Sequence, residues 1–338
     1  MQTQPLLPLM PSRLEKVRRL SEASHLQTMD HATVLPWNEP IDKHLAPKNL
    51  DHLWIAGTPF ASALGERERL ELAWLETARD ISMFIWLEQA IPPLYMGYIT
   101  RDHARIAPDL QEYLMIFSKE EIVHTLTFKR FMAKAGLPLF QPPQGLYVLL
   151  TETLPTLPAP VGVLFTLLIE WVAEIGAMHT SQGADIEPMT RTLFRAHHHD
   201  EARHIAFGRW IAESYFDTAS AQDAGQVRAM CRQIFPRLID MYTYNPEIAL
   251  HTSFAFPIRA DDAEASEAVW RSEHNARLNA ERFSALYAWM DSLDLLMQPE
   301  NARRLARCGI AIMDSAIDVL PTVLKWRGRD PNKTEPAD

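Results

Sequence analysis

Two short pairs, Glu121-Ile-Val-His124 and Glu201-Ala-Arg-His204, constrain the fold of this chain more than any other feature. On an α-helix, positions i and i+3 share one face about one turn apart. A carboxylate and an imidazole placed in that way can bind the same hard-to-borderline metal ion. A lone pair of this kind says little, because chance supplies one in a chain this long. A third pair, Glu22–His25, lies in the N-terminal region without a partner and reads as solvated surface.

The sequence around the two pairs supports helices. Strand signals are nearly absent: there are no Asn-Gly or Asp-Gly turns and few alternating β-branched runs. After Gly65 the chain is free of Gly and Pro to residue 91, where Pro92-Pro93 is expected to end or kink the helix. A second helix is predicted from Pro108, with Asp109 and Glu112 near its N-terminal dipole, to Gly136, with Pro138 beyond. A Pro-rich connection leads to a third helix over about 161–181. Glu187-Pro188 then opens a fourth, running to about 216. Further helical patterns lie near 221–243, 265–293 and 299–325. The first 60 residues are Pro-studded and read as an irregular wrap, and 326–338 read as a disordered tail. The expectation is one all-α domain over 1–325, a bundle with additional helices.

Each Glu-x-x-His pair follows a helix that carries its own carboxylate in an apolar setting. Glu88 lies within FIWLEQAI and Glu174 within LIEWVAEIGA. Buried carboxylates are rare unless paired or metal-bound, so Glu88 would be costly as plain core. Glu170 sits one turn before Glu174 on the same face and competes with it; the reading here places Glu174 ahead. A Glu from each of two helices and Glu-x-x-His from each of two others is the di-iron or di-manganese signature of ferritin-like bundles. Around the second pair the sequence is His197-His198-His199-Asp200-Glu201, and at helical spacing His197 projects within about 20° of His204. His197 is therefore a candidate seventh ligand, with a pocket or supporting role as the alternative. Asp200 reads as a partner for a ligating imidazole. Arg203 could pair with a carboxylate, but the sequence does not say which.

Composition excludes several other classes. The net charge of −10 argues against binding to phosphate backbones or anionic lipid, so neither nucleic acid nor membrane is expected as a partner. No glycine-rich phosphate loop occurs. Cys231 and Cys308 are the only cysteines. They suit a reducing cytoplasm and leave no thiolate cluster site. The N-terminal basic residues follow the apolar ones, opposite to the order of a secretory signal. The longest apolar run, Val161–Ile169, is far short of the roughly 20 residues a membrane span needs. The expected location is the cytoplasm.

The segment PMTRTLFRAHHHDEARH, with EQAI at the first glutamate and VAE at the third, resembles the p-aminobenzoate N-oxygenase family of non-haem di-iron enzymes. The likeness covers roughly residues 66–215. It implies a ferritin-like fold and two iron ions per chain. The implied ligands are Glu88, Glu121, His124, Glu174, Glu201 and His204, with His197 as the family's extra histidine. Glu121 and Glu201 would be the bridging carboxylates. It further implies an O₂-dependent monooxygenase that oxidises an aromatic amine to hydroxylamine, nitroso or nitro product through a peroxo-di-iron intermediate. A homodimer is implied as well. With no flavin, nicotinamide or iron–sulfur motif in the chain, a separate ferredoxin or reductase is expected to deliver electrons. The turn between Glu174 and His197 is a few residues shorter than the family pattern.

Three other readings stay open at this point. DEARH also resembles the second iron motif of acyl-carrier-protein desaturases, which leaves C–H hydroxylation or desaturation as a neighbour. A metal-storage or ferroxidase bundle would be shorter, and a metal-free helical scaffold would place these side chains on solvated faces. The apolar flanks Ile85, Trp86, Phe117, Ile122, Val123, Val172, Ile175 and Met178 are candidates for a dry pocket, though any one such residue is more often ordinary core.

Overall fold

The computed structural model describes residue 7 and residues 9–142, 144–181, 183–239 and 244–295. Ten α-helices lie in these stretches: α1 (Pro11–Leu26), α2 (Pro59–Ser62), α3 (Glu66–Asp102), α4 (Pro108–Ala135), α5 (Gln144–Val148), α6 (Ala159–Ser181), α7 (Pro188–Thr218), α8 (Ala221–Ile239), α9 (Ala263–Trp270) and α10 (Glu273–Ser292). Among the described residues the β-structure is a single parallel bridge, Ala46 to Ile186. The fold is all-α, as expected.

The helix boundaries follow local chemistry. The Glu68 side chain accepts from the Gly65 amide at the start of α3 (2.8 Å). Pro108 opens α4, and Gly136 closes it in the left-handed conformation (φ 61°) that glycine adopts without a Cβ penalty. Glu187 caps α7 by accepting from the Thr190 amide at 2.7 Å, with Pro188 in the first turn.

Pro92-Pro93 do not end α3, which continues for 37 residues to Asp102. Proline removes a backbone donor, but beyond it Leu94, Tyr95, Tyr98 and Ile99 are buried in the core. That packing outweighs the local cost of the two prolines. The N-terminal region is also more regular than expected. Residues 11–26 form α1, which packs across α4 and α7 and buries Val17, Ser21 and Ser24. The helical pattern near 265–293 divides into α9 and α10. The patterns at 299–325 and the tail at 326–338 lie outside the described residues.

Short connections force α3 against α4 and α6 against α7 as antiparallel pairs. The α4–α6 crossover is long and holds α5 and a short π-helical turn, Leu149–Thr153. One close approach sets the spacing of the second pair: a Cβ at Gly208 of α7 would lie 2.8 Å from the Leu167 Cβ of α6. Ala159–Ala177 is apolar enough to cross a membrane by length and composition, yet 89% of it is buried inside the bundle. It reads as a core helix.

Two apolar cores result. One gathers Tyr95, Tyr113, Phe117, Leu168, Phe207 and Ile211; the other gathers Trp54, Ile81, Phe84, Phe128, Phe131 and Phe194. Between them lies a layer of buried carboxylates and imidazoles contributed by α3, α4, α6 and α7.

Candidate metal centre

Each of these four helices brings its polar residues inward at one depth. Glu88, His124, His197 and Glu201 form one group of potential metal ligands, and Glu121, Glu170, Glu201 and His204 form a second. All are buried, and Glu121, His124 and His204 are fully inaccessible. Glu201 belongs to both groups. Its Oε1 lies 3.3 Å from His124 Nδ1, from His197 Nε2 and from His204 Nδ1. Glu121 Oε1 lies 3.0 Å from His204 Nδ1 and 3.9 Å from His124 Nδ1. Glu201 therefore stands between the groups, and Glu121 lies in the second group on the side of His124. His197 Nε2 is 3.0 Å from Glu88 Oε1, which places the extra histidine at the centre.

The carboxylate contributed by α6 differs from the one favoured by the sequence. Glu170 joins the second group, whereas Glu174 turns one helical turn away and faces His197 Nδ1 and His198 Nδ1. Spacing cannot separate two glutamates at i and i+4, which share a helix face. The axial position of α6 against α7 decides between them. Counting back from His197, Glu170 makes the intervening segment one helical turn longer.

The imidazole rings are held from both sides. Phe117 stacks on His204, with centroids 3.6 Å apart and planes 11° apart. Phe84 and Phe128 each meet His197 edge-on at 5.0 Å. Of the proposed apolar flanks, Ile85, Phe117 and Val172 are buried, but Ile122 is 51% exposed and so does not line a dry pocket. The Met178 side chain lies outside the described residues.

Outside the two groups, His124 Nε2 contacts Asp200 Oδ2 at 3.1 Å, which places Asp200 beside a candidate ligand imidazole. His204 Nε2 contacts Glu120 Oε2 at 2.8 Å. Arg203 donates to both carboxylates, at 2.9 Å to Glu120 and 2.7 Å to Asp200, and also to Ser24 of α1. Glu120 was not singled out from the sequence. A repeat could have found it, since an acidic residue precedes each glutamate of the two pairs, Glu120-Glu121 and Asp200-Glu201. Each reaches across to the other helix's histidine. Glu22 and His25 stay away from the centre; His25 instead meets Glu112 at the surface (3.6 Å).

Charge crowding in this layer is severe. Burial, opposed by His197, pushes the Glu88 carboxyl up to about 7. Burial and then the neighbouring Glu201 and Glu121 charges hold Glu170 well above the usual carboxylate range. Burial also acts on Glu201, but the His204 and His197 charges overcome it and hold this carboxylate well below its usual value. Burial disfavours the charged His124 ring, yet the neighbouring Asp200 and Glu201 carboxylates raise it to about 9.

Whether these residues suit metal ions can be judged from their unpaired atoms. Both oxygens of Glu121, Glu170 and Glu201, with His124 Nδ1 and His204 Nδ1, are buried and lack a hydrogen-bond partner. Such atoms cost about 1–3 kcal/mol each when left unsatisfied in the interior. They all belong to the two groups, and two cations among them would satisfy them together. The donor set of carboxylate oxygens and imidazole nitrogens suits iron or manganese. Fold and site thus define a di-iron-type carboxylate protein built on a ferritin-like helical bundle.

Comparison with known proteins narrows the class. Residues 11–294 match the family described as P-aminobenzoate N-oxygenase AurF, and the chain belongs to that family of di-iron N-oxygenase enzymes. Two curated proteins share a short stretch with it. The putrescine-binding periplasmic protein PotF of Escherichia coli (strain K12) is 43% identical over 49 residues, 14% of this chain and 13% of that protein. The putrescine-binding periplasmic protein SpuD of Pseudomonas aeruginosa (strain UCBPP-PA14) is 37% identical over 49 residues, with the same coverage. The chain therefore spans only a small part of these two relatives. No solved structure matches.

Proposed function

We propose that the chain is an O₂-dependent di-iron monooxygenase that oxidises the nitrogen of an aromatic amine. One iron would lie among Glu88, His124, His197 and Glu201, the other among Glu121, Glu170, Glu201 and His204. Glu121 and Glu201 would stand between them as the shared carboxylates. The observation that carries this reading is the convergence of unpaired buried donor atoms from four helices, in a chain of this family. Bound there, two ferrous ions would supply electrons and open coordination positions for O₂.

The protein's own part is to position and to exclude. Asp200 and Glu120 hold the outer nitrogens of His124 and His204, so that the inner nitrogens keep their lone pairs for metal. Arg203 balances both carboxylates and keeps them ionised. Phe84, Phe117 and Phe128 cover the imidazoles and keep bulk water from the reacting nitrogen.

The family supports an aromatic amine as substrate, and we assign the substrate to aminobenzoate-like amines. A separate ferredoxin or reductase delivers the electrons. The test is iron content together with turnover. Protein reduced anaerobically with ferrous iron should hold two irons per chain and, with O₂ and a reductant, convert p-aminobenzoate faster than aniline. Absence of stoichiometric metal, or equal loading in Glu121→Ala and Glu201→Ala, would refute the metal centre. Equal rates on the two amines would refute the aminobenzoate assignment.

A further inference from the structure

The three histidines of the centre are supported unequally. Each turns one nitrogen inward and the other toward a carboxylate: His124 to Asp200, His204 to Glu120 and His197 to Glu174. The first two carboxylates are tied together by Arg203, and Asp200 also accepts from the Met29 amide at 3.0 Å. Glu174 has two histidines as its partners instead. Its Oε1 contacts Nδ1 of His198, whose side chain is 46% exposed, and its Oε2 faces His197 Nδ1 at 3.4 Å. Both Glu174 Oε2 and His197 Nδ1 are buried without a hydrogen-bond partner. Two such atoms facing each other are costly unless the ring nitrogen donates to the carboxylate.

We propose that Glu174 is the positioning residue of His197, accepting the Nδ1 proton so that the Nε2 lone pair faces the metal ions. The proposal rests on the di-iron reading above. It gives the two glutamates of α6 separate tasks, with Glu170 reaching the centre and Glu174, one turn on, holding the extra histidine. A neutral imidazole has a proton on one nitrogen and a lone pair on the other. A carboxylate at Nδ1 selects the tautomer with Nε2 free and also raises its donor strength. His198 fixes the carboxylate's second oxygen, so the carboxylate is held at both ends.

The experiment is a titration of the full-length, metal-free protein with Co(II), a spectroscopically visible stand-in for Fe(II), following stoichiometry, Kd and the visible ligand-field spectrum. Wild type should take up two ions. Glu174→Gln retains an amide oxygen for His197 and an NH₂ for His198, and should keep both ions with a near-wild-type spectrum. Glu174→Ala should weaken one of the two ions about 10- to 100-fold and shift its absorption, without a matching change in thermal unfolding of the metal-free protein.

Unchanged Kd and spectrum in Glu174→Ala would overturn the proposal. So would a Glu174→Gln protein that loses metal as completely as Glu170→Gln, because Glu174 would then be a ligand itself. Failure of the wild type to bind two ions would overturn the di-iron reading, and the proposal with it. The two failures are distinguishable, since only the second affects the unsubstituted protein.

Discussion

Gly208→Ala offers a test of how the bundle sets the depth of its ligands. Gly208 lies one turn after His204 on α7, and Leu167 lies one turn before Glu170 on α6. A Cβ at position 208 would sit 2.8 Å from the Leu167 Cβ and 3.2 Å from its Cδ1. The nearer atom is next to the backbone and cannot rotate away, so the two helices must separate. Replacing a helical glycine by alanine is worth about 1 kcal/mol in the helix's favour, whereas overpacking of this kind costs about 1–3 kcal/mol. The net expectation is about 0–2 kcal/mol of destabilisation.

Gly97, within α3, is the matched control, because nothing lies within 4 Å of a Cβ placed there. Gly97→Ala should therefore keep the gain of about 1 kcal/mol. The two substitutions should differ by about 1–3 kcal/mol, or roughly 2–10 °C in Tm for a large domain. Moving α6 also withdraws Glu170 from His204, and ligand distances tolerate only about 0.2 Å. Differential scanning calorimetry of the metal-free variants, followed by metal titration, measures both effects. If Gly208→Ala melts as high as Gly97→Ala and binds metal like wild type, the close approach of α6 and α7 does not set the centre.

Two further expectations follow from the charges. Glu88 is raised to about 7 and His124 to about 9. Both groups favour the protonated state in the fold, so their contribution to stability is present at low pH and lost as pH rises through those values. Metal-free protein should thus melt lower at pH 9 than at pH 6. Metal affinity should instead rise over the lower part of that range, as ions displace protons; a higher metal-free Tm at pH 9, or weaker binding at pH 8 than at pH 6, would contradict this. Arg203→Met should destabilise the fold by about 3–5 kcal/mol, because Glu120 and Asp200 are buried and lose their shared cation. Urea unfolding measures it, and a loss below about 1 kcal/mol, typical of surface pairs, would show that the arginine is dispensable.

Much of the candidate site is legible in the sequence because a set of potential metal ligands combines particular residue types with helical spacing. Glu88, Glu121, His124, Glu201 and His204 follow from the two Glu-x-x-His pairs and a carboxylate stranded in an apolar helix. His197 follows from its angle to His204, and Asp200 from its place beside Glu201. The repeat of an acidic residue before each pair, Glu120-Glu121 and Asp200-Glu201, marks Glu120 in the sequence, but that it meets His204 links α4 to α7 and needs the tertiary structure. Arg203 could be recognised as an ion-pair partner, but not whose.

The sequence alone determined the elements: long helices, their capped ends at Pro108, Gly136 and Glu187-Pro188, and the faces that carry carboxylate and imidazole. These are properties of residues within a few turns of one another, set by propensity, capping and the helical period. The tertiary structure decided what those properties leave degenerate. Glu170 and Glu174 occupy one face of α6, and only the packing of α6 against α7 fixes which of them meets His204. Pro92-Pro93 could have ended α3, but the burial of Leu94, Tyr95, Tyr98 and Ile99 beyond them carries the helix on. Local rules list the permitted conformations of a segment, and packing against distant segments selects among them.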